Sequence, residues 1–89
     1  MSYSIKVSEG FKKKFRKLDF VTQRIISRWI VKNLENTDNP RRQGKALTGN
    51  LKGLWRYRIG DYRLIVDIMD EELVIIAVDI GHRREVYCQ

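Results

Sequence analysis

Residues 54–66, LWRYRIGDYRLIV, read as a tight β-hairpin. Bulky and basic side chains alternate from Leu54 to Ile59, Gly60 and Asp61 form a two-residue turn, and Tyr62 resumes a strand. Strict alternation marks a half-buried strand, and a two-residue loop containing Gly suits a hairpin. The loop fixes the register: Ile59 faces Tyr62, Arg58 faces Arg63, Tyr57 faces Leu64 and Arg56 faces Ile65. Opposite residues point to the same side of a sheet. Trp55, Tyr57, Ile59, Tyr62, Leu64 and Val66 therefore share one face, and Arg56, Arg58 and Arg63 share the other. Like charges opposed across strands are destabilising. Such a cluster reads either as an anion site or as a charged solvent face.

On the N-terminal side, Tyr3, Ile5 and Val7 alternate with Ser4 and Lys6, the pattern of a half-buried strand. Ser8 suits a helix N-cap, with Glu9 in the first turn against the helix dipole. Phe11, Phe15 and Leu18 follow at helical spacing, with lysines and an arginine between them. Asp19 is a second N-cap. Val21, Ile25, Ile26, Trp29, Ile30 and Leu34 then form an apolar stripe, and Asn36–Pro40 ends the helix. Two helices of this kind pack as a hairpin on a sheet. Residues 41–52 form a basic, Gly-containing connector without a Walker pattern. Past the hairpin, Met69–Glu72 is a polar turn. Leu73–Ile80 is nearly continuous in apolar residues, as an interior strand covered on both faces would be. Gly81 is expected to end that run, and whether Val74 or Ile75 lies beneath the arginines is open.

At 89 residues the chain is expected to be one domain, 1–89, too small for a deep enclosed pocket. The net charge of +7 favours an anionic partner: nucleic acid, an acidic protein or an anionic membrane. Residues 1–50 hold 12 Lys and Arg against 4 Asp and Glu, while residues 51–89 hold 6 against 7. The general basic surface thus belongs to the first half, and the second half carries a few placed arginines. One cysteine, Cys88, and one histidine, His82, leave no disulfide framework and no ordinary zinc spacing. No signal peptide or membrane span is read, and the cytoplasm is the default location.

What remains for chemistry is Arg56, Arg58, Arg63, Arg83, Tyr87 and His82. This set suits metal-free RNA cleavage, in which the substrate's own 2′-hydroxyl attacks the phosphate. The protein must stabilise charge on the phosphoryl oxygens, which preorganised arginines do. It must also accept the 2′-hydroxyl proton and help the 5′-oxygen leave. Tyr87 would serve as acceptor if neighbouring arginines lower its pKa from about 10; otherwise it is an aromatic cover for a sheet edge. His82 is the other candidate acceptor, or else a structural hydrogen-bonding group.

GKALTGNLKGLWRYRIGDYRLIV (44–66), followed by a hydrophobic strand and IGHRREVY (80–87), resembles the RelE branch of the RelE/ParE bacterial toxin superfamily. The resemblance covers essentially the whole chain. It implies an α+β single domain: an N-terminal strand, a two-helix hairpin, then an antiparallel β-meander forming a twisted sheet with the helices on one face. It implies the toxin of a type II toxin–antitoxin system, an endoribonuclease that cuts messenger RNA in the ribosomal decoding site without a cofactor. The expected partners are the ribosome and mRNA, and a RelB-like antitoxin through which the complex binds operator DNA; no membrane is expected. Carried over by position, the catalytic residues are Arg56, Arg58, Arg63, Arg83 and Tyr87. The best-known RelE proteins have lysines where Arg56 and Arg58 stand, and arginine is a very poor base. The tail is shorter here, so Arg84 competes with Arg83 for the same position. Lys12, Lys13, Lys17, Arg24, Arg28, Arg41, Arg42, Lys45 and Lys52 are the expected RNA- or ribosome-facing cations. The alternatives are a ParE-like inhibitor of DNA gyrase, which would need no Tyr87, and a nucleic-acid-binding module without catalysis.

Overall fold

The computed structural model describes residues 1–82; Arg83, Arg84, Tyr87 and Cys88 lie outside the described residues. The chain runs β1 (Ser4–Val7), α1 (Glu9–Arg16), α2 (Phe20–Asn33), β2 (Lys45–Ala46), β3 (Trp55–Ile59), β4 (Tyr62–Met69) and β5 (Val74–His82), with short 3-10 turns at Gly49–Leu51 and Asp70–Glu72. Both helices start where the sequence places them. The Ser8 side chain accepts from the Phe11 N–H at 3.1 Å, and the Asp19 carboxylate accepts from the Thr22 N–H at 3.2 Å. Each cap satisfies an N–H that the helix itself leaves unbonded.

The sheet order is β1-β5-β4-β3-β2. β1 runs parallel to β5, and the other neighbours are antiparallel. The hairpin register is the expected one, with Arg58 opposite Arg63 and Tyr57 opposite Leu64. Phe11, Ile26 and Leu34 from the helices meet Tyr57, Leu64, Val66, Ile75, Ala77 and Ile80 in one buried cluster. The helices therefore cover the apolar face of the hairpin and leave the arginine face on the other side, as an α+β fold with helices on one face requires.

Four details differ from the sequence reading or complete it. β5 continues through Gly81 to His82 instead of stopping at Gly81, because Gly81 pairs with Arg63 in the ladder. The connector contributes a two-residue strand, with Lys45 opposite Arg56 and Ala46 opposite Trp55. Val21 and Ile25 are 62% and 55% exposed and do not belong to the core stripe. Of the β5 residues left open, Ile75 lies on the helix side opposite Ile68, while Val74 and Ile76 lie on the arginine side opposite Met69 and Asp67.

The connector is clamped to the sheet. Asp70 accepts from the Tyr3 hydroxyl at 2.7 Å and from both terminal nitrogens of Arg41 at 2.8 and 3.0 Å. The Arg41 guanidinium and the Tyr3 hydroxyl hold the Asp70 carboxyl below the usual carboxylate range. Trp55 Nε1 donates to the Gln43 carbonyl at 2.7 Å, and the buried Tyr57 hydroxyl donates to the Pro40 carbonyl.

Candidate functional site

The site is built on β3 and β4. Ile59 and Tyr62 flank the two-residue turn as a pair that exchanges backbone hydrogen bonds, so the next pair, Arg58 and Arg63, is a non-hydrogen-bonded one. Such pairs hold their side chains closest, with Cα atoms about 4.5 Å apart. Two arginine side chains are thus rooted side by side on neighbouring strands. Their row continues to Gly81 on β5, which has no side chain to crowd them. The parallel row runs Lys45, Arg56, Ile65, Asp79 across β2 to β5.

The cations sit at graded depth. Arg58 is exposed, Arg56 half-buried and Arg63 only 9% exposed. Ile65 between them is fully buried, giving the face an apolar floor in its middle. The acid in the row, Asp79, is held by Lys14 Nζ at 2.8 Å. Cations at graded depth around a small apolar floor suit an anion with a planar apolar part, as a nucleotide has.

His82 does not join this group. It pairs with Tyr62 on the helix side of the sheet, its ring edge-on to the Tyr62 ring at 5.8 Å. There it lines a cleft with Lys14, Lys17, Leu18 and Ile80. Tyr57 shares the helix face, and burial pushes its hydroxyl pKa far up, so it is no proton acceptor near neutrality. Arg83, Arg84 and Tyr87 lie outside the described residues.

The remaining cations divide into two groups. Arg41 is committed to Asp70 and lies 5.9 Å from the Trp55 ring, so it is part of the connector clamp. Arg42 pairs with Asp38 at 3.0 Å and Lys12 with Glu9 at 3.3 Å, both on the surface. Arg24 lies over the Phe20 ring at 5.7 Å. Lys13, Lys17, Arg28 and Lys52 are exposed. Lys45 is the one that sequence reasoning placed too vaguely: β2 puts it beside Arg56, and a strand of two residues has no pattern of its own to reveal it.

Among the described residues, no His, Cys, Asp and Glu side chains are grouped to hold a metal ion. Nor is any helix there long and apolar enough to cross a membrane.

Residues 5–87 match the family model described as the ParE toxin of type II toxin-antitoxin system, parDE. A putative RelE-like toxin protein of Escherichia coli is 28% identical over 84 residues, covering 94% of this chain and 86% of that protein. Toxin RelG of Mycobacterium tuberculosis is 38% identical over 48 residues; the match covers 54% of this chain and spans only 55% of RelG. Among solved structures, the M. tuberculosis toxin–antitoxin complex RelBE2 contains a chain that superposes with a TM-score of 0.84 at 25% identity, covering 93% of each. A mutant of E. coli toxin RelE in the free state superposes with a TM-score of 0.76 at 25% identity, covering 98% of this chain and 92% of that one.

Proposed function

The chain belongs to the ParE toxin family of type II toxin–antitoxin systems and has RelE-like toxins among its relatives, and from the likeness to RelE toxins, together with its arginine face, we propose that it is a ribosome-dependent endoribonuclease acting on messenger RNA. The observation that carries this reading is the Arg58–Arg63 pair with Arg56 and Lys45 on the same face. A cleavage that draws its nucleophile from the substrate asks the protein mainly for positioning and charge stabilisation.

In the proposed reaction the 2′-oxygen of the message attacks the adjacent phosphorus, and the bond to the 5′-oxygen breaks. The 2′-hydroxyl proton passes to Tyr87, which must act as the phenolate that neighbouring arginines would stabilise. Arg56, Arg58 and Arg63 stabilise the added charge on the phosphoryl oxygens, and Arg83, with Arg84 as its neighbour, offsets the charge on the departing 5′-oxygen, which takes its proton from water. The register counts against His82 as acceptor, because His82 lies across the sheet from Arg63. Lysines 12, 13, 17 and 52, with Arg24 and Arg28, supply backbone-phosphate attraction that carries no base information. No cofactor is required.

The partner that silences the toxin is, in this reading, a RelB-like antitoxin, since RelE-type neighbours are solved with RelB. Operator DNA would be bound through the antitoxin, and the cytoplasm is where ribosome and message are met. The second reading, inhibition of DNA gyrase, is favoured by the name of the family model. One experiment separates the two. Purified protein is added to a message on purified ribosomes and, separately, to a gyrase supercoiling reaction. Primer-extension stops in the decoding site with supercoiling untouched are expected; lost supercoiling with an intact message overturns the nuclease reading.

A further inference from the structure

We propose that the cleft on the outer edge of β3 is a base-selecting subsite for the nucleotide next to the scissile phosphate, an inference that rests on the nuclease reading. The cleft has a volume of about 320 Å³ and is lined by Trp29, Gln43, Gly44, Lys45 and the β3 residues from Arg56 to Arg58. That volume lies at the lower end of ligand clefts, which run from about 300 to 1,000 Å³. It wraps around the edge of the sheet. Trp29 comes from the helix side, where its ring meets Tyr57 at 5.3 Å, while Lys45, Arg56 and Arg58 belong to the opposite, cationic side.

The edge is open for a physical reason. The Leu47 N–H donates to the Leu54 carbonyl at 3.0 Å, so in this antiparallel ladder residues 54, 56 and 58 turn their N–H and C=O groups toward β2. β2 has only the pairs to Trp55 and Arg56. Arg58 therefore presents a peptide donor and acceptor on an edge that β2 does not reach. The connector turns away one residue before Lys45, at Gly44, whose φ is +86°. A Cβ at Gly44 would lie 2.2 Å from the Arg56 carbonyl oxygen and 2.6 Å from Trp55 Nε1. Only glycine permits that close passage, and it keeps the cleft wall free of a side chain at this point.

The fitting ligand is a nucleotide. Its phosphate lies on the Lys45, Arg56 and Arg58 cations, contiguous with the Arg58–Arg63 pair, and its base edge meets the Arg58 peptide group and the Gln43 carboxamide. Gln43 is exposed, and its amide donates to Asn33 Oδ1 at 3.1 Å, which leaves the carboxamide oxygen and one N–H for a base. Phosphate contacts position a nucleic acid without reading it, whereas base-edge contacts discriminate. Lys45 and Gln43 should accordingly fail in different ways.

The test uses ribosome complexes programmed with messages that carry each of the four bases at the positions flanking the cut. Parent protein, Gln43→Ala, Gln43→Glu and Lys45→Ala are compared by single-turnover primer extension. Both Gln43 variants are expected to change the relative rates among the four bases at one flanking position by roughly fivefold, which one net hydrogen bond supplies. Lys45→Ala is expected to slow cutting at all four bases alike. If the parent cuts and the Gln43 profiles superimpose on the parent's, the subsite is wrong while the nuclease reading stands. If the parent cuts no ribosome-bound message, the nuclease reading falls and the subsite with it.

Discussion

Replacing Arg58 by threonine should make the protein more stable and far less active. Arg58 is exposed and stands directly opposite Arg63 in a non-hydrogen-bonded pair. Two unit charges about 6 Å apart in water repel by roughly 0.7 kcal/mol, within the range of about 0.2–1 kcal/mol known for cross-strand pairs. Threonine removes one charge and is itself a good strand former. A gain approaching 1 kcal/mol should raise the melting temperature of a domain of this size by about 4–8 °C. The gain should shrink in 1 M salt, where the Debye length falls to about 3 Å and the parent's repulsion is screened. Cleavage should move the other way: loss of one transition-state donor costs about 10²- to 10³-fold in the chemical step. Urea titrations at low and high salt give the stability, and single-turnover cleavage at saturating ribosome complex gives the rate. A variant that loses stability at low salt would show that Arg58 is a structural residue. A variant that cleaves at the parent rate would show that the arginine face is only a solvated surface.

Tyr87→Phe keeps the ring and removes the phenol; single-turnover cleavage should slow by about 10²- to 10⁴-fold with ribosome binding little changed, and a parent-like rate would return the acceptor role to His82. A 2′-O-methyl group at the cut site should stop cleavage, and the unmodified product should end in a 2′,3′-cyclic phosphate, read by mass spectrometry; normal cutting of the methylated message refutes 2′-hydroxyl attack. Neutralising Lys13 and Lys17 should weaken ribosome binding and flatten its logarithmic salt slope by about 0.7 for each phosphate no longer neutralised, leaving the saturated rate near the parent's. Asp70 has its pKa lowered by Arg41 and Tyr3, so its contribution is present above the unfolded carboxyl value, about 3.9, and is lost as pH falls through the lower folded value. Asp70→Asn should therefore remove that part of the acid destabilisation below about pH 4, measured by urea midpoints across pH, whereas an identical acid limb in both proteins would show that the clamp adds nothing.

The hairpin was legible because a two-residue turn leaves only one register, and the register sorts every side chain to a face. The helix starts were legible because Ser8 and Asp19 carry side chains that can cap. Other features depended on tertiary partners. Val21 lies about 140° and Ile25 about 100° round the helix from the buried Ile26, so a single core stripe could not hold all three. Gly81 looked like a strand end because glycine weakens strands, yet it pairs with Arg63 in the β4–β5 ladder and the strand runs on through it. β2 is visible only once Arg56 is there to pair with it. The side of the sheet taken by His82 was hidden by Val78, which the β4–β5 register skips as a bulge and which shifts the face of every residue after it.

The N-terminal strand lies against the last strand, not against its sequence neighbours. Ser8, just past β1, bonds to the Val78 carbonyl 70 residues away. Because β5 fills the place between β1 and β4, a nascent chain holds an incomplete sheet until β5 has been synthesised. The loop to be closed between β1 and β5 spans about 70 residues, and closing long loops is slow. Translation order thus acts as a timer, and a protein proposed to attack ribosomes cannot complete its sheet until β5 has been made.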